Sequence, residues 1–150
     1  IASASVLTKG GLLDVRARFF IDSSGDLDLM ARAGAPFLGL DEGESLLQAV
    51  ARETLEETAW HFTPEALLGV YRWPHPTNGC TYLRFAFTGR VTRHDESRTL
   101  DHDIVRALWL SPEEIRAERA RHRSPQVERC LNDYLAGRRY PLDLLNEFKD

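Results

Sequence analysis

The pattern of apolar and polar residues predicts one helix clearly, over about residues 46 to 58, because its apolar positions recur at the 3.6-residue period of a helix. Ser45 lies three residues before Gln48, which is the spacing of a capping box at a helix start. The periodic positions are Leu46, Leu47, Val50, Thr54, Leu55 and Thr58.

Strands are predicted on both sides of this helix. Upstream, residues 2 to 8 and 12 to 20 are predicted to pair across a turn at Lys9-Gly10-Gly11, followed by a loop at residues 22 to 26. Downstream, residues 67 to 73 and 82 to 91 are rich in β-branched and aromatic residues. They flank the turn-forming residues 74 to 79, and this arrangement predicts a hairpin.

The last third of the chain is predicted to contain one strand and two helices. Val105 to Leu110 is the strand, and Ser111-Pro112-Glu113-Glu114 has the capping signals of a helix that runs toward Ala120. Ser124-Pro125 starts another helix, which ends near Ala136-Gly137. Helices interleaved with strands predict a layered α/β domain.

Composition narrows the classes of protein. With 150 residues, 43% of them hydrophobic, and no repeat or linker, we expect a single domain over residues 1 to 150. A net charge of −4 argues against a nucleic-acid polymer as partner. Cys80 and Cys130 have no zinc-site or disulfide spacing. The chain has no membrane-length apolar run and no signal-peptide layout at its start, so we expect a cytoplasmic protein without a membrane partner.

The predicted helix carries an unusual group of carboxylates. At 100° per residue, Glu53, Glu56 and Glu57 share one side and Val50 lies on another. Like charges at this spacing destabilise a helix unless something offsets them, and Mg²⁺ prefers such oxygen ligands. Arg52 precedes Glu56 by four residues and is expected to pair with it.

The alternative is a solvated acidic face, which is the commoner meaning of such a pattern. Two features argue against it here. The glutamates lie near the carboxyl end of the helix, where the helix dipole disfavours negative charge, and a further carboxylate, Glu44, precedes the helix.

These residues resemble the Nudix box, G-x5-E-x7-R-E-U-x-E-E-x-G-U, in which U is aliphatic. Glu44, Arg52, Glu53, Glu56 and Glu57 match its five charged positions in register. Further segments resemble the NudJ-type phosphatase subgroup, so that the resemblance covers about residues 41 to 150. These segments are residues 81 to 85, 104 to 109, 122 to 125 and 137 to 142.

The resemblance implies a Nudix fold, an α/β/α sandwich with a mixed β-sheet. It also implies Mg²⁺-dependent hydrolysis, with Mn²⁺ as a substitute, of phosphate-anhydride bonds in nucleoside di- and triphosphates or in small pyrophosphates such as hydroxymethylpyrimidine pyrophosphate. Glu53, Glu56 and Glu57 would hold the metal. Glu44 would support the metal shell or orient a water molecule, and Arg52 would position Glu56 or Glu53 through a charge-assisted hydrogen bond.

The match has departures. Leu38 stands at the first Gly of the box, Ala59 at the second, and Trp60 at the following aliphatic position. The second Gly would end the helix in the left-handed region, where Ala costs about 1 kcal/mol. Residues 1 to 40 match the subgroup poorly, which leaves open whether these changes impair activity.

Several residues outside the box are candidates with alternatives. Trp73 and Tyr82 are candidates to stack on a base and Arg84 to contact phosphate, although strand aromatics are more often core and a structural arginine is equally expected. Asp101 and Asp103 are candidates for a base, against the commoner role of turn formers. The histidines at positions 75, 94, 102 and 122 have no ligand spacing and are expected at the surface.

Two other functions remain open from the sequence. One is hydrolysis of a nucleotide sugar such as ADP-ribose, and the other is a catalytically impaired Nudix module that only binds nucleotides. The expected partner is a small phosphorylated molecule, and both a monomer and a homodimer are compatible with the sequence.

Overall fold

The computed structural model describes residues 43–77, 79, 81–102, 104–122 and 124–147, and the backbone of the strands at residues 3–8, 11–16 and 20–22. Among these residues it has six strands and three α-helices. The strands are β1 (Ser3–Thr8), β2 (Gly11–Arg16), β3 (Phe20–Asp22), β4 (Trp60–Pro74), β5 (Thr81–His94) and β6 (Ile104–Leu108). The helices are α1 (Leu46–Thr58), α2 (Pro112–Ala117) and α3 (Gln126–Leu135), and 3-10 turns follow at Arg119–Arg121 and Leu142–Leu144.

Helix α1 has the predicted bounds, and its cap explains where it begins. The Ser45 side chain accepts a hydrogen bond from the Gln48 amide, and the Gln48 side chain accepts one from the Ser45 amide. This reciprocal pair satisfies two amides that the helix itself leaves unbonded. The helix ends at Ala59, which has φ +60° and donates its amide to the Leu55 carbonyl at 2.9 Å. The left-handed residue expected at this position is therefore confirmed.

The hairpin of β4 and β5 is the long element of the fold. Its two strands pair antiparallel, and β3 pairs with the other edge of β5. Both strands are longer than predicted, beginning at Trp60 and ending at His94. Trp60 packs on His94, with ring centroids 4.8 Å apart, and on Trp109 at 5.5 Å, and these ring contacts stabilise the part of the strand beyond its β-rich centre.

A second sheet has the order β2-β1-β6. The predicted pairing of the first two strands is confirmed, although β2 is shorter than predicted and a separate β3 follows it. All pairings among the described strands are antiparallel, so the parallel component of a mixed sheet is not among them. The predicted loop at residues 22 to 26 lies, after Asp22, outside the described residues, as does Leu38.

Helices cover both faces of the hairpin. On one face α1 places Val50 against Phe87 and Phe62, and on the other α3 places Cys130 against Leu68 and Ala86. Successive side chains of a strand point to opposite faces, so the adjacent Leu67 and Leu68 of β4 enter opposite cores. This helix–sheet–helix layering confirms the predicted α/β/α sandwich.

Among the carboxyl-terminal elements, β6 and α2 end earlier than predicted, whereas α3 lies between Pro125 and Ala136 as predicted. Helix α2 ends at Ala117 and a 3-10 turn follows it, because Ile115 is the only buried residue of the helix and the next apolar residue, Ala120, is exposed. Ile115 packs with Val127 and Leu131 of α3, which joins the two helices. In the segments that the structure describes, no helix is long and apolar enough to cross a membrane.

Candidate active site

The last two turns of α1 carry the predicted glutamates next to the buried stripe of the helix. Glu53 is only 7% exposed, whereas Glu56 and Glu57 are half-buried. No acidic residue lies in the first turn, so the negative charge is concentrated at the end that the helix dipole disfavours. A merely solvated acidic face does not describe this arrangement, because burial of a carboxylate requires a compensating partner.

Arg52 provides that compensation. Its Nε donates to Glu44 Oε1 at 2.9 Å and its Nη2 to Glu44 Oε2 at 3.0 Å, a two-pronged contact. Its Nη1 donates to Glu56 Oε2 at 2.7 Å, and Nη2 lies 3.7 Å from Glu53 Oε1. We call Glu44, Arg52, Glu53 and Glu56 the carboxylate–arginine cluster. The predicted pairing of Arg52 with Glu56 is confirmed.

The cluster is partly shielded from water. The Glu44 side chain is 11% exposed, that of Arg52 30% and that of Glu56 25%. The hydrogen bond to Glu44 is the largest cause that raises the pKa of the Arg52 guanidinium above its ordinary range; burial opposes the shift and the bond to Glu56 adds to it. Arg52 is therefore a permanent positive charge that fixes the positions of two carboxylates.

A loop from elsewhere in the chain approaches the same place. Arg98 Nη2 lies 3.6 Å from Glu56 Oε1, and the Asp101 amide donates to the Glu56 carbonyl at 3.1 Å. Asp101 is thus adjacent to the carboxyl end of α1, but the observed bond uses its backbone, and its side chain is exposed. Asp103, the other candidate base, lies outside the described residues.

The donor set fits a divalent cation in chemistry, since Glu53, Glu56 and Glu57 offer the hard oxygens that Mg²⁺ and Mn²⁺ prefer. As the side chains stand in the described segments, however, no group of three or more His, Cys, Asp or Glu residues converges into a metal-binding set. The present rotamers of Glu44 and Glu56 serve Arg52 instead. Metal binding by these glutamates therefore stays a prediction.

The predicted substrate-binding residues lie on the other face of the hairpin. Tyr82 and Arg84 of β5 alternate with Phe85 and Phe87, which pack toward α1, and Trp73 pairs with Tyr82 across the strands. Arg84 is buried, at 5% exposure. The structure thus groups Glu44 with the box residues but does not group these three with them, and their contact with substrate stays a prediction.

Sequence reasoning missed two contacts of the cluster. The first is the pairing of Glu44 with Arg52, eight residues apart, which links the loop before α1 to its exposed side. The second is Arg98, which lies in a loop without local signal and reaches Glu56 only through the tertiary fold. The fixed spacing of the charged residues in the box could have predicted the contact between Glu44 and Arg52. No sequence pattern indicates the contact between Arg98 and Glu56.

Comparisons with known proteins agree with one another. A model of the NUDIX domain matches residues 19–130, beginning upstream of the expected residue 41. The Phosphatase NudJ of Escherichia coli strain K12 is 33% identical over 109 residues, which cover 73% of this chain and 70% of that protein, and the Phosphatase NudJ of Shigella flexneri matches equally. A solved NUDIX hydrolase from Nitrosomonas europaea is 54% identical, with a TM-score of 0.71, over 73% of this chain and 74% of that one.

Proposed function

Because this chain belongs to the Nudix family and is a Nudix hydrolase, we propose that it hydrolyses phosphate-anhydride bonds in nucleoside di- or triphosphates or in related small pyrophosphates. Hydroxymethylpyrimidine pyrophosphate belongs to the second group. The carboxylate–arginine cluster carries the proposal, since Arg52 keeps Glu44, in the loop before α1, in contact with the glutamates of the last two turns of the helix. The similarity to proteins named Phosphatase NudJ supports removal of phosphate as the reaction type.

Nudix hydrolases generally use divalent metals, and we propose Mg²⁺ for this one, with Mn²⁺ as a substitute. Glu53, Glu56 and Glu57 would hold the ion. When bound, such an ion supplies positive charge against the phosphoryl oxygens and makes a water molecule more acidic.

The protein's own residues contribute positioning. Arg52 holds Glu44 and Glu56 in fixed places through three charge-assisted hydrogen bonds. Glu44, which is almost buried, is placed to orient a water molecule or to support the ligands of the ion. Arg52 therefore acts as a positioning residue and has no direct role on the substrate.

The test is a panel of nucleotides, hydroxymethylpyrimidine pyrophosphate and ADP-ribose, assayed with Mg²⁺ and then with EDTA, with identification of products. We expect release of inorganic phosphate from the nucleotides and from hydroxymethylpyrimidine pyrophosphate in Mg²⁺, and no release in EDTA. Cleavage of ADP-ribose to two monophosphates would instead identify a nucleotide-sugar hydrolase. Absence of turnover on every substrate, with retained nucleotide binding, would identify a binding module.

Glu57→Gln tests the assignment of the site. The change keeps the size of the side chain and removes its charge, so we expect turnover to fall by at least about 100-fold, as for removal of a key electrostatic group, while the fold is kept. Glu65→Gln is the matched control, because Glu65 is half-exposed on β4 and pairs only with the surface residue Arg90 among the contacts described. Near-normal activity of Glu57→Gln would refute the assignment.

We also propose a cytoplasmic location. The support is that the two cysteines lack disulfide spacing in the sequence and that Cys130 is buried as a thiol in the core. Fractionation of cells that express the protein, with detection in each fraction, tests this location.

A further inference from the structure

Arg98 lies in the loop between β5 and β6, and this loop is docked on the carboxyl end of α1. The Asp95 amide donates to the Ala59 carbonyl at 2.8 Å, and the Asp101 amide donates to the Glu56 carbonyl at 3.1 Å. The last carbonyls of a helix have no partner within the helix, so the loop satisfies two backbone acceptors at this end. The backbone on both sides of Arg98 is therefore fixed against the helix that carries the proposed metal ligands.

A second set of hydrogen bonds, within the loop, orders the backbone just before Arg98. Asp95 Oδ1 accepts from the Ser97 amide at 3.1 Å and from Ser97 Oγ at 2.7 Å. The Arg98 amide donates to the Asp95 carbonyl at 3.2 Å. An aspartate that binds the backbone two residues later forms a compact turn, so the Arg98 side chain starts from an ordered position beside α1.

The guanidinium of Arg98 is the second cation at the Glu56 carboxylate. Arg52 Nη1 donates to Glu56 Oε2 at 2.7 Å, whereas Arg98 Nη2 lies 3.6 Å from Glu56 Oε1. Each oxygen of this carboxylate thus faces a different guanidinium. The contact with Arg52 is a short charge-assisted hydrogen bond, but 3.6 Å is too long for a hydrogen bond, so Arg98 makes only an ion pair.

The two guanidiniums also differ in what else holds them. Arg52 is anchored by two further hydrogen bonds to Glu44. The Arg98 side chain is 34% exposed, and among the described residues it pairs with Glu56 alone. The hydrogen bonds of the loop use the backbone and not this guanidinium. Rotation of one partly exposed side chain is therefore enough to separate Arg98 from Glu56.

We propose that Arg98 is a positioning residue that pairs with Glu56 while no divalent ion is bound and releases it when an ion binds this carboxylate. The inference rests on the metal ligands named in the proposed function, because it takes Glu56 as one of them. It adds that the site has its own replaceable cation, Arg98, beside a permanent one, Arg52.

The balance of charges favours release of Arg98 over its retention. At a separation of about 4 Å in water, repulsion between a guanidinium and a divalent ion would weaken binding of the ion by about tenfold or more. An exposed ion pair stabilises a protein by less, so breaking it weakens binding of the ion by only about two- to fivefold. The protein therefore keeps more affinity for the ion when Arg98 turns away than when it stays.

Arg98→Gln tests the release by a measurement of metal binding. If the ion must displace Arg98, the variant should bind Mn²⁺ about two- to fivefold more tightly than the unchanged protein, in calorimetric titration without substrate. A residue that only stabilised the loop would leave the affinity for Mn²⁺ unchanged. Arg93→Gln is the matched control, because it removes the same charge near the end of β5, where Arg93 Nη2 contacts His61 Nε2 at 2.7 Å. Its affinity for Mn²⁺ should equal that of the unchanged protein.

Urea denaturation gives a second readout that is independent of activity. In EDTA, Arg98→Gln should lower the midpoint by about 0.1 to 0.5 M, since the ion pair with Glu56 is lost. In saturating Mn²⁺ the midpoints of the variant and the unchanged protein should coincide, because neither protein then has the pair. In a Glu56→Gln background, Arg98→Gln should leave the midpoint in EDTA unchanged, which identifies Glu56 as the partner.

The outcomes separate this inference from the proposed function. Equal affinity of Arg98→Gln and the unchanged protein for Mn²⁺, or an equal loss of stability in EDTA and in Mn²⁺, would overturn the release of Arg98 and leave the metal site standing. Failure of the unchanged protein to bind Mn²⁺ would refute the metal site and this inference with it. The expected difference in Mn²⁺ affinity without any hydrolysis would refute the proposed function and support the release of Arg98.

Discussion

Replacement of Arg52 by Gln tests whether the carboxylate–arginine cluster is held together by one guanidinium. Arg52 makes three hydrogen bonds, two to Glu44 and one to Glu56. Removal of one partner from a fully buried ion pair costs about 3 to 5 kcal/mol, whereas exposed pairs contribute about 0.2 to 1 kcal/mol. The side chains of Arg52, Glu44 and Glu56 are 30%, 11% and 25% exposed, so the cost of removing Arg52 should lie between these two limits. We therefore expect Arg52→Gln to lower the free energy of unfolding by about 2 kcal/mol.

The assay is urea denaturation in EDTA, followed by circular dichroism. With a denaturant slope of about 2 kcal/mol per molar, the midpoint should fall by about 1 M. Arg90→Gln is the control, because Arg90 and its partner Glu65 are 64% and 49% exposed, and its midpoint should fall by less than about half as much. Equal shifts for the two variants would refute the argument that partial burial strengthens the cluster.

Three further predictions concern the frame around the site. Ala59→Gly should raise the free energy of unfolding, measured by urea denaturation, by up to about 1 kcal/mol. Glycine is unstrained at φ +60°, and the substitution removes only one buried methyl group. A loss of stability would contradict this prediction. Gly89→Ala should lower the free energy of unfolding by about 2 to 3 kcal/mol, since its Cβ would overlap the backbone carbonyl oxygen of Thr63. The loss should exceed that of Gly69→Ala, whose Cβ would first meet the side chain of Tyr71. Burial raises the pKa of the Tyr71 hydroxyl above its ordinary value of 10.0, so the stability that this neutral hydroxyl contributes is present below pH 10 and is lost as the pH rises further. In denaturation at alkaline pH, the free energy of unfolding should therefore decline less for Tyr71→Phe than for the unchanged protein.

Local signals predicted the helix that carries the site, and non-local packing determined what the sequence left uncertain. The bounds of α1 follow from its capping box and its period, both of which act within a few residues. The strands of the hairpin extend beyond their β-rich centres because ring packing at Trp60 adds contacts that no local pattern shows. Helix α2 stops at Ala117 because the residues that follow it, which were predicted to continue the helix, have no core to contact.

The candidate site shows the same division. The pairing of Arg52 with Glu56 lies within one turn and was predictable from spacing, and so was the register of the five charged box residues. Arg98 reaches Glu56 from a loop 42 positions later, so only the tertiary fold reveals it. The sequence also did not predict which face of the hairpin carries Trp73, Tyr82 and Arg84. That face depends on the strand register and on which helix covers which face.

The charges at the end of α1 explain why an arginine belongs in a site proposed to hold a cation. The site has four negative charges, on Glu44, Glu53, Glu56 and Glu57, and two positive charges, on Arg52 and Arg98. Its net charge of about −2 is equal in size to the charge of one divalent cation. The arginines therefore reduce the repulsion among the carboxylates without neutralising the site. A guanidinium suits this role because its planar donors fix two carboxylates at once and it stays charged at every physiological pH. Arg52→Lys should therefore preserve the net charge but loosen Glu44, so that metal dependence persists while kcat falls, and an unchanged kcat would show that charge alone, without fixed geometry, is what the cluster requires.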